Sequence, residues 1–274
     1  MCNRTSVALL TLGAAVAAHA GLLRAPSPNW ALGGVPMRLI EVPAAAPVGI
    51  TACPGVRPGA IVESDVGQCT FNFVFAGGDG AMYIGTAGHC ILGESPIGGD
   101  VGETSWAAGT GPEARDAAGA RIGEFSYAIL QDPKDFAVIR VDPAVGVSAQ
   151  VCHFGGPTGI NADTSSAPVV LHHYGNGVGI GTVLPARTGV ALGMPDPDHV
   201  FAQAVALPGD SGSGVISDDG RAVGVLVTVG IHSSSIGAGG VDAGAVGITR
   251  LAPQLARAAA VLGTGLTLVT TAPL

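Results

Sequence analysis

Hydrophobic and polar positions alternate in short runs from about residue 68 onward. Cys69-Thr70-Phe71-Asn72-Phe73-Val74-Phe75 is rich in β-branched and aromatic residues and reads as a strand. Gly77-Gly78-Asp79-Gly80 then reads as a hairpin turn, with Ala81 to Thr86 as the returning strand. Asp100 to Gly111 and Ala120 to Leu130 continue as strands and turns, with one short Gly/Ala-rich stretch. A further strand, Phe136 to Val141, opens at Asp135. Val151 to Pro168 is rich in Gly, Pro, Asn and Ser and reads as a connector. Strand patterns resume near Val169 to Tyr174, and continue through Val178 to Leu192 and Phe201 to Leu207. After a turn at Ser211 come Val223 to Val229 and Ala245 to Thr249. Leu251 to Leu262 is Ala/Leu-rich with helical spacing. The pattern predicts an all-β fold in two halves, about 66–150 and about 168–250, with a C-terminal helix over about 251–262.

Composition sharpens this reading. The 274 residues include 44 glycines and 19 prolines, and only 12% are charged, so turns outnumber long helices. The length suits two small barrels. A formal net charge of −8 argues against nucleic acid or an anionic membrane as partner. At the N-terminus, Arg4, the apolar run Ser6 to Ala18 and Ala18-His19-Ala20 read as a signal peptide over residues 1–20. That run falls short of the ~20 residues a spanning helix needs, so a soluble exported product is expected. Residues 21–52 are Ala/Pro-rich and read as a pro-segment, a linker or an arm, with one docking strand hinted at by Trp30 and Arg38-Leu39-Ile40. The folded domain is expected over 53–274. Loss of Cys2 with the leader leaves Cys53, Cys69, Cys90 and Cys152. An even count in an exported chain favours disulfides; three pairings, a zinc site and free thiols all remain open.

Three stretches carry candidate chemistry. Gly209-Asp210-Ser211-Gly212-Ser213-Gly214-Val215 sets a serine among glycines at a turn that leads into an apolar strand. A serine hydroxyl needs a base to take its proton. Thr86-Ala87-Gly88-His89-Cys90 offers one, and Asp135-Phe136-Ala137-Val138-Ile139 offers an acid to orient it, with Asp132 and Asp142 as nearby competitors. A histidine, an aspartate and a serine in that chain order, within these stretches, resemble the signatures of the chymotrypsin-like (trypsin-fold) serine proteases, closest to the secreted bacterial members. Subtilisins and α/β-hydrolases order the same three groups differently.

The resemblance implies two six-stranded antiparallel Greek-key barrels, a helix packed on them, and an active-site cleft between them. It implies Ser211 as nucleophile, His89 as general base, Asp135 as its orienting acid, and the Gly209 and Ser211 N–H groups as the oxyanion hole. Thr228 stands where the family has a serine facing the acid, and Val229 where a large aromatic often follows. The substrate-pocket base falls on Val205 with Gly230 as one wall, which implies apolar side chains at P1, the substrate residue before the scissile bond. The family pairs the cysteine after the catalytic histidine with one about twenty residues upstream, here Cys90 with Cys69, leaving Cys53 with Cys152. Asp210 needs a partner, for which His172, His173 and Arg187 are candidates; a solvated strand end is the preferred reading of His172-His173. His153, His199 and His232 lack metal-ligand spacing and read as loop histidines. The expected protein is a secreted, monomeric serine endopeptidase acting on protein or peptide substrates without cofactor or metal. A turnover-deficient binding protein on the same fold and an esterase are the alternatives.

Overall fold

The computed structural model describes residues 30–32, 35–37, 53–93, 101–131, 133–163, 167–177, 185–229 and 245–273. Met1–Glu41 and Val42–Leu274 form two separate compact units. In the first, β1 (Trp30–Leu32) and β2 (Val35–Met37) pair with each other, Trp30 opposite Met37. The leader read at residues 1–20 and the strand hint at Arg38-Leu39-Ile40 lie outside the described residues.

The second unit opens with β3 (Ile61–Glu63), β4 (Gln68–Thr70), β5 (Val74–Gly77) and β6 (Met82–Thr86). A single helical turn, α1 (His89–Leu92), follows, then β7 (Gly102–Ser105), β8 (Glu113–Asp116), β9 (Arg121–Gln131) and β10 (Lys134–Val141). The order across this curled sheet is β5-β6-β10-β9-β8-β3-β4, with β7 also on β9. At the predicted hairpin, Asp79 accepts the Ala81 N–H at 3.1 Å and closes the turn between β5 and β6.

The run from Cys69 to Phe75 is not one strand. Asn72 is fully buried, and its side-chain oxygen accepts the Phe73 N–H at 2.6 Å. That local bond competes with the ladder and turns the chain at a corner between β4 and β5. The corner is tied to β6 instead, the Asn72 N–H donating to Gly85 O at 2.8 Å and the Gly85 N–H to Phe73 O at 3.0 Å.

The second half forms a closed barrel of six strands: β11 (Val170–Tyr174), β12 (Ala186–Asp196), β13 (His199–Gln203), β14 (Gly214–Ser217), β15 (Ala222–Val229) and β16 (Ala245–Arg250), joined in the order β11-β12-β13-β16-β15-β14. Helix α2 (Leu251–Leu262) occupies the predicted residues. It buries Leu251, Gln254, Leu255 and Ala258, one face of a 3.6-residue period, and ends at left-handed Gly263. Past it, β17 (Leu266–Leu268) pairs with β5, making the first sheet nine-stranded. The all-β fold with a C-terminal helix is as expected. The first half differs in that its ladders run as an open curled sheet rather than a closed ring of six. The eleven-residue β9 serves β10 along one edge and β7 and β8 along the other, so the sheet widens instead of closing.

Phe71, Phe73, Phe75, Phe125, Phe136, Ile84 and Ile129 fill the first core. Each contributes about 1.5–3 kcal/mol by leaving water. Leu171, Val200, Val215, Val223, Leu226 and Ile248 fill the smaller core of the barrel. Cys69–Cys90 and Cys53–Cys152 are disulfides, each with Cα atoms 6.2 Å apart. The first pins the end of β4 to the residue after His89. The second closes a loop of 99 residues, worth about 4.7 kcal/mol in the chain-entropy account.

Candidate active site

His89 begins α1, immediately past the end of β6. A β-carbon at Gly88 would overlap the Ile129 carbonyl oxygen, so only glycine lets the chain pass β9 here. Asp135 stands near the start of β10, whose residue Ala137 pairs with Thr86 at the end of β6. The two side chains therefore meet. Asp135 Oδ2 lies 2.6 Å from His89 Nδ1, and Oδ1 accepts the His89 backbone N–H at 2.9 Å. Their side chains are only 11% and 10% exposed. The carboxylate thus holds His89 at two points, ring and backbone, and favours the tautomer with the proton on Nδ1 and the basic lone pair on Nε2. Of its competitors, Asp142 pairs with exposed Arg121 at 3.0 Å, and Asp132 lies outside the described residues.

Ser211 sits, half-buried, in the turn before β14. This turn comes from the barrel yet seats on the first sheet. Thr70 N–H donates to the Ser211 carbonyl oxygen at 2.8 Å. At Gly212, φ is +89°, and a β-carbon would overlap Thr86 Oγ1 and lie 3.0 Å from the Ala87 nitrogen. The serine turn and the strand that delivers His89 are thus in direct contact. Among the described residues, no protein acceptor takes the Gly209 or Ser211 backbone N–H.

Arg187 answers the question of what pairs with Asp210. Its Nη1 bonds Asp210 Oδ2, with Asp210 fully buried and the Arg187 side chain 5% exposed. Asp210 also accepts Gly177 N–H at 2.6 Å and Leu207 N–H at 2.7 Å. The chain from Leu207 to Ser211 is wrapped around this carboxylate.

His172 and His173 are not a solvated strand end. Both are 3% exposed, because β11 lies between β12 and β14 inside the barrel wall. His172 Nδ1 lies 2.8 Å from Thr188 Oγ1, and His173 Nε2 lies 3.2 Å from the Val205 carbonyl oxygen. His199 is likewise no loop residue; it starts β13, is 5% exposed and packs against Phe201 in a tilted arrangement, ring centroids 4.4 Å apart. His153 does lie in the connector, and His232 lies outside the described residues.

Burial pushes the His173 ring from 6.5 down to about 4; Asp210 opposes the shift, while Arg187 and His172 add to it. In the unfolded chain the ring takes its proton near 6.5, in the folded chain only near 4. The unfolded state therefore binds more protons over that window, and stability falls as pH drops from about 6.5 toward 4. The expected loss from this group is about 3 kcal/mol. Urea melts of the wild type and His173→Phe at pH 7 and pH 4.5 measure it: the variant should show a smaller acid loss, and equal losses would contradict the assignment.

Val205, the expected pocket base, is 57% exposed. Thr228 and Val229 lie on β15 opposite Gly247 and Val246, but their side chains, like the whole of Gly230, lie outside the described residues. A cavity of about 470 Å³ lies on the first sheet between Asp79, Trp106, Arg140 and Leu262; none of the residues predicted for the site lines it. Cys69, Cys90 and His89 put their ligand atoms within 4.8 Å of one another, but both sulfurs are spent in the disulfide and offer no thiolate to a metal.

The sequence pattern did not single out Thr70 and Asn176, which stitch the two halves together, or Thr86, which braces Thr70 within the first sheet. Thr86 Oγ1 donates to Thr70 O at 2.9 Å, and Asn176 Nδ2 donates to Gly59 O at 2.7 Å. Their polarity inside apolar surroundings was the available signal, and it does not say which partner each one meets.

No protein-family model matches the sequence, and no curated protein matches it. Solved structures do. A glutamic-acid-specific serine protease, described as using a histidine triad in substrate binding, superposes with a TM-score of 0.51 at 16% identity, over 78% of this chain and 100% of its own. The Nocardiopsis protease NAPase gives a TM-score of 0.51 at 19% identity, over 78% of this chain and 98% of its own. An open curled sheet and a closed six-stranded barrel, with an Asp–His pair on one and a Gly-Asp-Ser-Gly turn on the other, give this chain the chymotrypsin-like fold.

Proposed function

We propose that the protein is an exported serine endopeptidase that cleaves peptide bonds through an acyl-enzyme, with His89, Asp135 and Ser211 as its triad. The observation that carries this reading is the two-point hold of Asp135 on His89, beside a strand end against which the Ser211 turn is packed. In this mechanism Ser211 Oγ attacks the scissile carbonyl as His89 Nε2 takes its proton. Asp135 stays ionised and stabilises the imidazolium that forms. The Gly209 and Ser211 N–H groups receive the oxyanion. His89 then gives its proton to the leaving amine, and the same cycle run with water releases the acyl group.

The preference for apolar P1 residues rests on the family position of the pocket base, which falls on the exposed Val205. The glutamate-specific neighbour is described as using a histidine triad in substrate binding; here His172, His173 and His199 are buried within the barrel wall. Two disulfides support an oxidising, extracellular compartment, and no helix among the described residues is long and apolar enough to cross a membrane. The protein acts as a monomer on peptide or protein substrates.

A fluorophosphonate probe followed by peptide mapping tests the reading. A covalent adduct on Ser211, together with cleavage of peptides bearing apolar P1 residues, is expected. No adduct would leave a binding protein, cleavage of esters alone would leave an esterase, and preferential cleavage after Arg or Lys would reject the apolar pocket.

A further inference from the structure

Thr70, fully buried at the end of β4, bonds to three segments of the site. Its N–H holds the Ser211 carbonyl oxygen, and its own carbonyl oxygen accepts the Thr86 hydroxyl, three residues before His89. Its side-chain oxygen lies 2.8 Å from the Gly209 carbonyl oxygen, 3.3 Å from the Asn176 nitrogen and 3.2 Å from Asn176 Nδ2. The direction of these bonds is decided by chemistry. Asn176 Nδ2 also bonds the Gly59 carbonyl at 2.7 Å, which fixes the amide with its NH₂ group on this side. Both Asn176 groups are therefore donors to Thr70, and the single hydroxyl proton of Thr70 has one acceptor left, the Gly209 carbonyl.

We propose that Thr70 is a positioning residue for catalysis: its hydroxyl locks the Gly209–Asp210 peptide and so keeps the Gly209 N–H aimed at the oxyanion. The inference rests on the protease reading above. Gly209, at φ +101°, has no side chain to restrict its backbone, and its N–H is bound to no protein acceptor among the described residues. An unanchored glycine peptide can turn its N–H away from the cleft at little cost. The Thr70 bond and the turn bond from Asp210 N–H to Leu207 O, at 2.9 Å, both fix the Gly209–Asp210 peptide, and the Leu207 N–H bond to Asp210 Oδ2, at 2.7 Å, ties down the chain two residues before Gly209. The donor is then preorganised before charge develops, which is where such a donor lowers the barrier. Cys69, beside Thr70, is joined by disulfide to Cys90, beside His89, so the oxyanion donor and the base share one anchored strand end.

Thr70→Val keeps the shape and removes the hydroxyl; Thr70→Ser keeps the hydroxyl and removes the methyl. Kinetics on one peptide substrate, with enzyme concentration set by fluorophosphonate titration, read the effect. Thr70→Val should lose roughly 10- to 100-fold in kcat with KM changed less than about threefold, and Thr70→Ser should restore kcat to within about threefold of wild type. Affinity for a peptide boronate, whose tetrahedral adduct occupies the oxyanion hole, should fall in parallel with kcat/KM. Should Thr70→Val not fold, as judged by its thermal melt, Thr70→Ala takes its place against Thr70→Ser. Wild-type kcat per titrated site in the valine or alanine variant, or a serine variant as slow as it, overturns the assignment while leaving the triad standing. A wild-type protein that neither labels nor turns over overturns both.

Discussion

Replacing Ser211 by alanine should reduce kcat for peptide hydrolysis by about a millionfold and leave the melting temperature nearly unchanged. Ser211 is half-buried in a turn, and the contacts that seat the turn are made by backbone atoms of Ser211 and Gly212 rather than by the hydroxyl. Stopped assays combined with calorimetry separate the two readouts. Asp135→Asn should cost about ten-thousandfold for a different reason. Asp135 now accepts two N–H groups from His89, one on each carboxylate oxygen. Asparagine has one oxygen. If it serves the backbone N–H, its NH₂ faces Nδ1 and forces the proton onto Nε2, which can then no longer accept from the serine. A Ser211→Ala protein that keeps even a hundredth of wild-type kcat would remove this serine from the mechanism.

The second large effect is expected at the buried ion pair beneath the Ser211 turn. Arg187→Met should destabilise the fold by about 3–5 kcal/mol, because it leaves Asp210 charged, fully buried and without its cation. For a domain of this size that is on the order of 10 °C in melting temperature. Activity should fall with it, since Leu207, Gly177 and Arg187 all converge on the one carboxylate around which the Leu207–Ser211 segment is wrapped. Adding Asp210→Asn removes the uncompensated charge and should recover much of the stability without recovering kcat. A double variant no more stable than Arg187→Met would show that the ion pair is not what holds this segment.

Much of this chain could be read from its residues. The strand periods, the turn at Gly77 to Gly80 and the helix over Leu251 to Leu262 follow from local preferences that need no partner. His89 and Asp135 could be named because a strand-end His after Thr-Ala-Gly and an Asp opening an apolar strand are local patterns, and the chain order of the three stretches narrowed the fold. Where local rules were outvoted, the reading changed. Asn72 broke one expected strand into two by bonding its neighbour's N–H. His172 and His173, polar and adjacent, looked like a solvated end but are walled in by two partner strands. Strand β17 lies in a short apolar run whose only reason to be extended is the free edge of β5.

The string of residues determined which chemical groups exist, their order, and the periods that make strands and one helix, since those depend on neighbours a few positions away. The folded molecule alone decided that Arg187 rather than either histidine meets Asp210, that the first sheet stays open, and that Thr70 joins the serine turn to the strand behind His89. Each of those is a contact between residues dozens of positions apart. No local preference distinguishes one buried polar partner from another; only the packing of two sheets brings a single pair within hydrogen-bond reach.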